Sequence, residues 1–137
     1  YKKEPAPEEY PILLAEAFEG YAKDNYKPLD KLNLAAIPET RSANEVENKN
    51  TILLLANFYK GMAALERKKT SEAIEHFTWI INTSEDAAWK DKAHWYLAMS
   101  FLQNKDVDHA EKQLHKISKT GKYNSMAERI LKTISSN

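Results

Sequence analysis

The sequence predicts an all-α fold made of repeated helix pairs, on three observations. Helix-breaking residues are scarce, with 3 glycines and 5 prolines in 137 residues. Ala, Leu, Glu and Lys, whose side chains lose little rotamer freedom on a helix, are abundant. Apolar residues recur at helical spacing along most of the chain, and residues 58–80 align without gaps to 95–117, an offset of 37 (58 to 95). A duplicated helix-turn-helix unit produces that kind of self-similarity.

The elements follow in order. Residues 1–10 (YKKEPAPEEY) are charged and hold Pro5 and Pro7. Proline lacks a backbone donor and biases its predecessor away from helix, so they read as an extended tether to a domain spanning 11–137. From Pro11 to Lys23 the set Ile12, Leu14, Ala15, Phe18 and Tyr21 has helical spacing, broken by Asp24 and Asn25. Pro28 suits the first turn of a short second helix to Ala36. The polar stretch Ile37 to Asn50 reads as a loop that turns helical near its end. Thr51 to Arg67 is apolar around most of its circumference, as a helix at the centre of a domain would be.

Thr70 and Ser71 offer caps for a helix of about Ser71 to Asn82. Acids then open a helix from Asp86 to Gln103. Asp106 can cap the next, Val107 to Ser118, with Gly121 as its stop. Ser125 and Glu128 have capping-box spacing at the start of a final helix, about 125–135. The count is seven helices and no strand.

Within the internal match, Tyr59 pairs with Tyr96, Met62 with Met99, Leu65 with Leu102, Ala73 with Ala110 and Ile80 with Ile117. Small residues (Gly61, Ala98) also correspond, and Phe77 meets Leu114. This unit resembles the tetratricopeptide (TPR) repeat, whose first helix carries a small residue that lets the second approach. The resemblance covers about residues 11–120, as repeats at about 11–36, 51–82 and 86–120, the first of them loose. It implies a right-handed superhelix of about three helix pairs, closed by the 125–135 helix as a cap. Lys60 stands where such repeats prefer an apolar residue, Lys68 and Lys105 replace the inter-helix glycine, and no proline ends either good repeat. The arrangement also resembles the periplasmic or membrane-anchored TPR regions of some bacterial proteins.

Several function classes are disfavoured. Lys plus Arg (20) balances Asp plus Glu (20), which leaves no basic excess for a phosphate backbone, so nucleic acid is not expected as a partner. There is no cysteine, and hence no disulfide or thiolate site. Ile52 to Ala56, the longest apolar run, is far short of a membrane span. Any membrane attachment would come from outside this chain, which starts at Tyr1 and reads as a piece of a longer, extracytoplasmic protein. His76, His94, His109 and His115 lack the spacing of a metal site, and Asp106-x-Asp108 lacks a calcium loop. No phosphate loop or nucleophile elbow occurs. The expectation is a non-enzyme without cofactors.

The remaining candidate is an apolar stripe. Phe58, Met62 and Leu65 lie at i, i+4 and i+7, as do Trp95, Met99 and Leu102, with Phe18 in a looser third row. The TPR resemblance implies that such a face lines a groove for a protein or peptide, here a helix or an apolar segment. Tyr59 and Tyr96 would support repeat packing. Two alternatives stand beside the open groove. The stripe is core, covered by the tether or the 37–50 loop, or the domain serves structure and self-association, as a homodimer.

Overall fold

A computed structural model describes residues 1–8, 12–36 and 43–136. Among these the chain is all-helical, without strands. A 3-10 turn at Ile12–Leu14 leads into α1 (Ala15–Ala22), followed by α2 (Lys27–Lys31) and a second 3-10 turn at Leu34–Ala36. Then come α3 (Ala43–Glu66), α4 (Thr70–Thr83), α5 (Ala87–Gln103), α6 (Val107–His115) and α7 (Asn124–Ser135). Each helix packs mainly on its neighbours in sequence: α1 on α2, α3 on α4, α4 on α5, α5 on α6 and α6 on α7.

The most apolar helices lie innermost. On α3 every residue from Leu55 to Leu65 is buried except Lys60, which is half-buried, and on α5 the run Ala93 to Ser100 is buried throughout. Lys60 keeps its charge satisfied by donating to the Leu29 carbonyl at 2.8 Å. That carbonyl lies in α2, towards the end where a helix dipole favours a cation. Arg67 grips Asp30 with two bonds of 2.8 and 2.9 Å, so α2 is held to α3 by polar clamps as well as by Leu29.

The α1–α2, α3–α4 and α5–α6 turns share one geometry. Asp24, Lys68 and Lys105 have φ of 59°, 59° and 61°. In each turn the next residue's N–H reaches back to a carbonyl five residues earlier: Asn25 to Gly20, Lys69 to Ala64 and Asp106 to Phe101, each at 2.8 Å. This is a Schellman cap, whose left-handed position normally takes glycine. The glycine position identified in the sequence is thus kept in conformation while lysine occupies it. A left-handed lysine costs about 1–2 kcal/mol, part of which is offset because glycine loses more freedom on folding. Lys68→Gly and Lys105→Gly are each expected to stabilise the chain by about 0.5–1 kcal/mol, measured as a higher urea midpoint.

The 37-residue offset also holds in polar contacts. His76 Nδ1 lies 3.0 Å from Asn57 Oδ1, and His94 Nδ1 lies 2.8 Å from Gln113 Oε1. Positions 57 and 94 correspond, as do 76 and 113, so both repeats join the same two positions by an imidazole–amide bond with the residue types exchanged.

Some boundaries differ from expectation, each for a local reason. α3 begins at Ala43, so the second half of the expected loop is helical; its polar residues carry no periodicity yet are adequate helix formers. Residues 37–42 of that loop, and 9–11 of the tether and first helix, lie outside the described residues. α4 has no side-chain cap. Its N-cap is Lys69, immediately after the left-handed Lys68, and the Thr70 hydroxyl instead donates to Gln103 Oε1 at 2.6 Å. No capping box opens α7, whose N-cap is Tyr123. Asp86 and Asp106 do cap α5 and α6, accepting backbone N–H bonds. α6 ends at His115, and Gly121 has no positive φ. What Gly121 provides is room: a Cβ there would stand 2.6 Å from the buried Asp91 carboxylate, which accepts from the Ser118 N–H and hydroxyl at 3.0 Å.

Candidate functional site

Of the seven stripe residues, Phe18, Phe58, Met62, Leu65, Trp95 and Met99 are buried and Leu102 is partly so. Phe58 is fully enclosed. Its ring meets those of Tyr59, Phe77, Trp89 and Tyr96 at centroid distances of 5.0–5.8 Å, spacings at which edge-to-face pairs add to burial. Trp95 stacks on Tyr123 at 5.8 Å and so carries the start of α7. Phe18 meets the Tyr59 ring at 4.9 Å, joining α1 to α3. The stripe runs through the core from one helix pair to the next.

What lies over α1, α3 and α5 is the N-terminal segment. Residues 1–7 form neither helix nor strand, and a row of tyrosines holds residues 2–5. The Tyr21 hydroxyl of α1 donates to the Glu4 carbonyl, and that of Tyr59 on α3 donates to the Pro5 carbonyl at 2.8 Å. On α5, the Tyr96 hydroxyl lies 3.2 Å from the Lys2 carbonyl and 3.0 Å from Glu4 Oε1. Tyr123, at the start of α7, donates to the same Oε1 at 3.1 Å.

Consecutive side chains of the segment turn to opposite ends of this row, as in an extended chain. Lys3 reaches the α1–α2 turn, where its ammonium donates to the Tyr21 carbonyl at 2.8 Å, pairs with Asp24 and sits 4.0 Å over the Tyr21 ring. Glu4 points the other way, with Oε2 at 3.9 Å from the Lys92 ammonium. Tyr1 closes the row, its hydroxyl on Glu66 at 2.9 Å and its ring edge-on to Tyr96.

Electrostatics keep the row in its donor form. Burial first, and then the Glu4 carboxylate, push the Tyr59, Tyr96 and Tyr123 hydroxyls well above the usual phenol range. Burial moves Lys92 the other way, below the ordinary lysine range, and the attraction of Glu4 opposes it. A cleft of about 700 Å³ remains between residues 1–5 on one side and Trp95, Tyr96, Tyr123 and Met126 on the other.

Other sequence candidates have local roles. His109 bonds Asp106 at 2.7 Å and stacks on Phe101, while His115 lies 3.7 Å from Glu111. Among the described residues, no cluster of three or more His, Cys, Asp or Glu could hold a metal, and no helix is long and apolar enough to cross a membrane.

The sequence reading missed the tyrosine hydroxyls and their object. Tyr59 and Tyr96 stood out as a repeated pair, and packing accounts for their rings but not for their polar ends. Buried tyrosines need a hydrogen-bond partner, and the supply of carbonyls in the proline-bearing segment was the available clue. No protein-family model, curated protein or solved structure matches the chain.

Proposed function

We propose that this chain is a tetratricopeptide-like repeat domain that binds a protein partner by gripping an extended segment across the first helices of its pairs. It acts as an adaptor without catalytic chemistry. In this reading those helices line the concave side of a right-handed superhelix, α7 caps the array, and the apolar stripe forms the floor under the tyrosine row. The observation that carries it is the pair of tyrosine hydroxyls, from α1 and α3, that donate to the main-chain carbonyls of residues 4 and 5, with the Tyr96 hydroxyl of α5 within 3.2 Å of the Lys2 carbonyl. Main-chain recognition by donors fixed on a rigid scaffold is how peptide receptors hold extended ligands.

An array of extended peptides probed with the full chain tests the proposal. Peptides that bind, and that lose about tenfold in affinity to a Tyr59→Phe/Tyr96→Phe chain, are the expected outcome. An array with no signal above background would overturn it. The same grip exerted on residues 1–7 of a second copy would give a homodimer. Light scattering would then show a mass that doubles with concentration.

A further inference from the structure

Resting on that reading, we propose that the groove selects its ligand by two side-chain subsites. The segment it takes from a partner protein carries a lysine and a glutamate in succession before a proline, with residues 3–5 as the resident copy.

The glutamate subsite consists of the Tyr96 hydroxyl, the Tyr123 hydroxyl and the Lys92 ammonium. The two hydroxyls converge on one carboxylate oxygen at 3.0 and 3.1 Å, and the ammonium faces the other at 3.9 Å. All three groups offer protons. An oxygen-only, anionic side chain fits this set. A glutamine would accept from the hydroxyls but turn an amide donor towards Lys92 and leave that cation uncompensated. Burial raises the stakes, since the Glu4 side chain is 15% exposed and that of Lys92 26%. The Lys92 ammonium also lies 5.0 Å above the Phe58 ring, so this part of the subsite is built on the core. Aspartate, shorter by one methylene, would fall short of the hydroxyls.

The lysine subsite is the α1–α2 turn. Its parts are the Tyr21 carbonyl at 2.8 Å, the Asp24 carboxylate, and the Tyr21 and Tyr26 rings with the ammonium 4.0 and 4.9 Å from their centroids. Carbonyl, carboxylate and two π-faces all attract a cation. The two subsites receive side chains pointing opposite ways, as the adjacent Lys3 and Glu4 do here. Proline at the next position suits the site: the groove takes its carbonyl and asks nothing of its missing N–H. Proline also biases the glutamate towards extended backbone before binding. The resident segment then behaves as a tethered competitor that a partner must displace.

The test measures fluorescence anisotropy of a dye-labelled, N-acetylated peptide of residues 1–8 against two full-length chains, unmodified and Glu4→Gln. The peptide should bind the Glu4→Gln chain at least tenfold more tightly, because the resident competes less. A peptide with glutamine in place of its glutamate should bind at least tenfold more weakly, and Lys92→Met or Tyr123→Phe in the Glu4→Gln chain should shrink that ratio. Equal affinities for the two peptides would overturn the glutamate subsite and leave the groove intact. Failure of both peptides to bind either chain would overturn the groove itself.

Discussion

Phe58→Ala is expected to cost about 3–5 kcal/mol of stability, the range for truncating a large aromatic in a packed core. The ring has no exposed surface and bridges α3 to α4 and α5 through Phe77, Trp89 and Tyr96, so one substitution leaves a cavity where three helices meet. With an unfolding entropy of about 2.1 cal/mol/K per residue, the loss corresponds to a fall in Tm of roughly 10–17 °C. It is a large share of the ~5–15 kcal/mol that holds a domain of this kind. Circular dichroism melts of the full chain measure it. A change within about 0.5 kcal/mol, as for a surface contact, would show that Phe58 is not core.

The second large effect is where α3 crosses α4. A Cβ on Gly61 would stand 2.7 and 2.9 Å from ring atoms of Phe77, closer than atoms pack. Phe77 cannot retreat, because it is fully buried and its ring meets those of Phe58 and Tyr96. Gly61→Ala gains about 1 kcal/mol in helix propensity and loses about 2–3 to overpacking, for a net destabilisation of about 1–2 kcal/mol. At the corresponding positions 37 residues on, the chain has Ala98 and Leu114. In a double-mutant cycle Phe77→Leu should therefore relieve Gly61→Ala, with a favourable coupling of at least about 1 kcal/mol. Strict additivity in urea titrations would mean that the two positions do not meet.

Part of this packing is legible in the sequence. The correspondence of Gly61 with Ala98 and of Phe77 with Leu114 was visible in the alignment, and Gly61 does lie against Phe77. Caps were less legible. Asp86 and Asp106 are bound by local geometry alone, whereas Thr70 was drawn off by Gln103 of a different helix. The stripe showed as an apolar surface. Periodicity gives the direction in which a side chain faces but not what lies opposite, and that is where the groove reading and the buried positions part.

The amino-acid sequence alone determined the all-helical class and the internal match of residues 58–80 with 95–117, because hydrophobic spacing and turns act over a few residues. Tertiary structure decided the place of the N-terminal segment. Proline content marks it locally as extended, yet its position depends on hydroxyls 54 residues away at Tyr59 and 119 away at Tyr123. Those donors meet its carbonyls and the Glu4 carboxylate only after the helix pairs have stacked and burial has left the tyrosines without water.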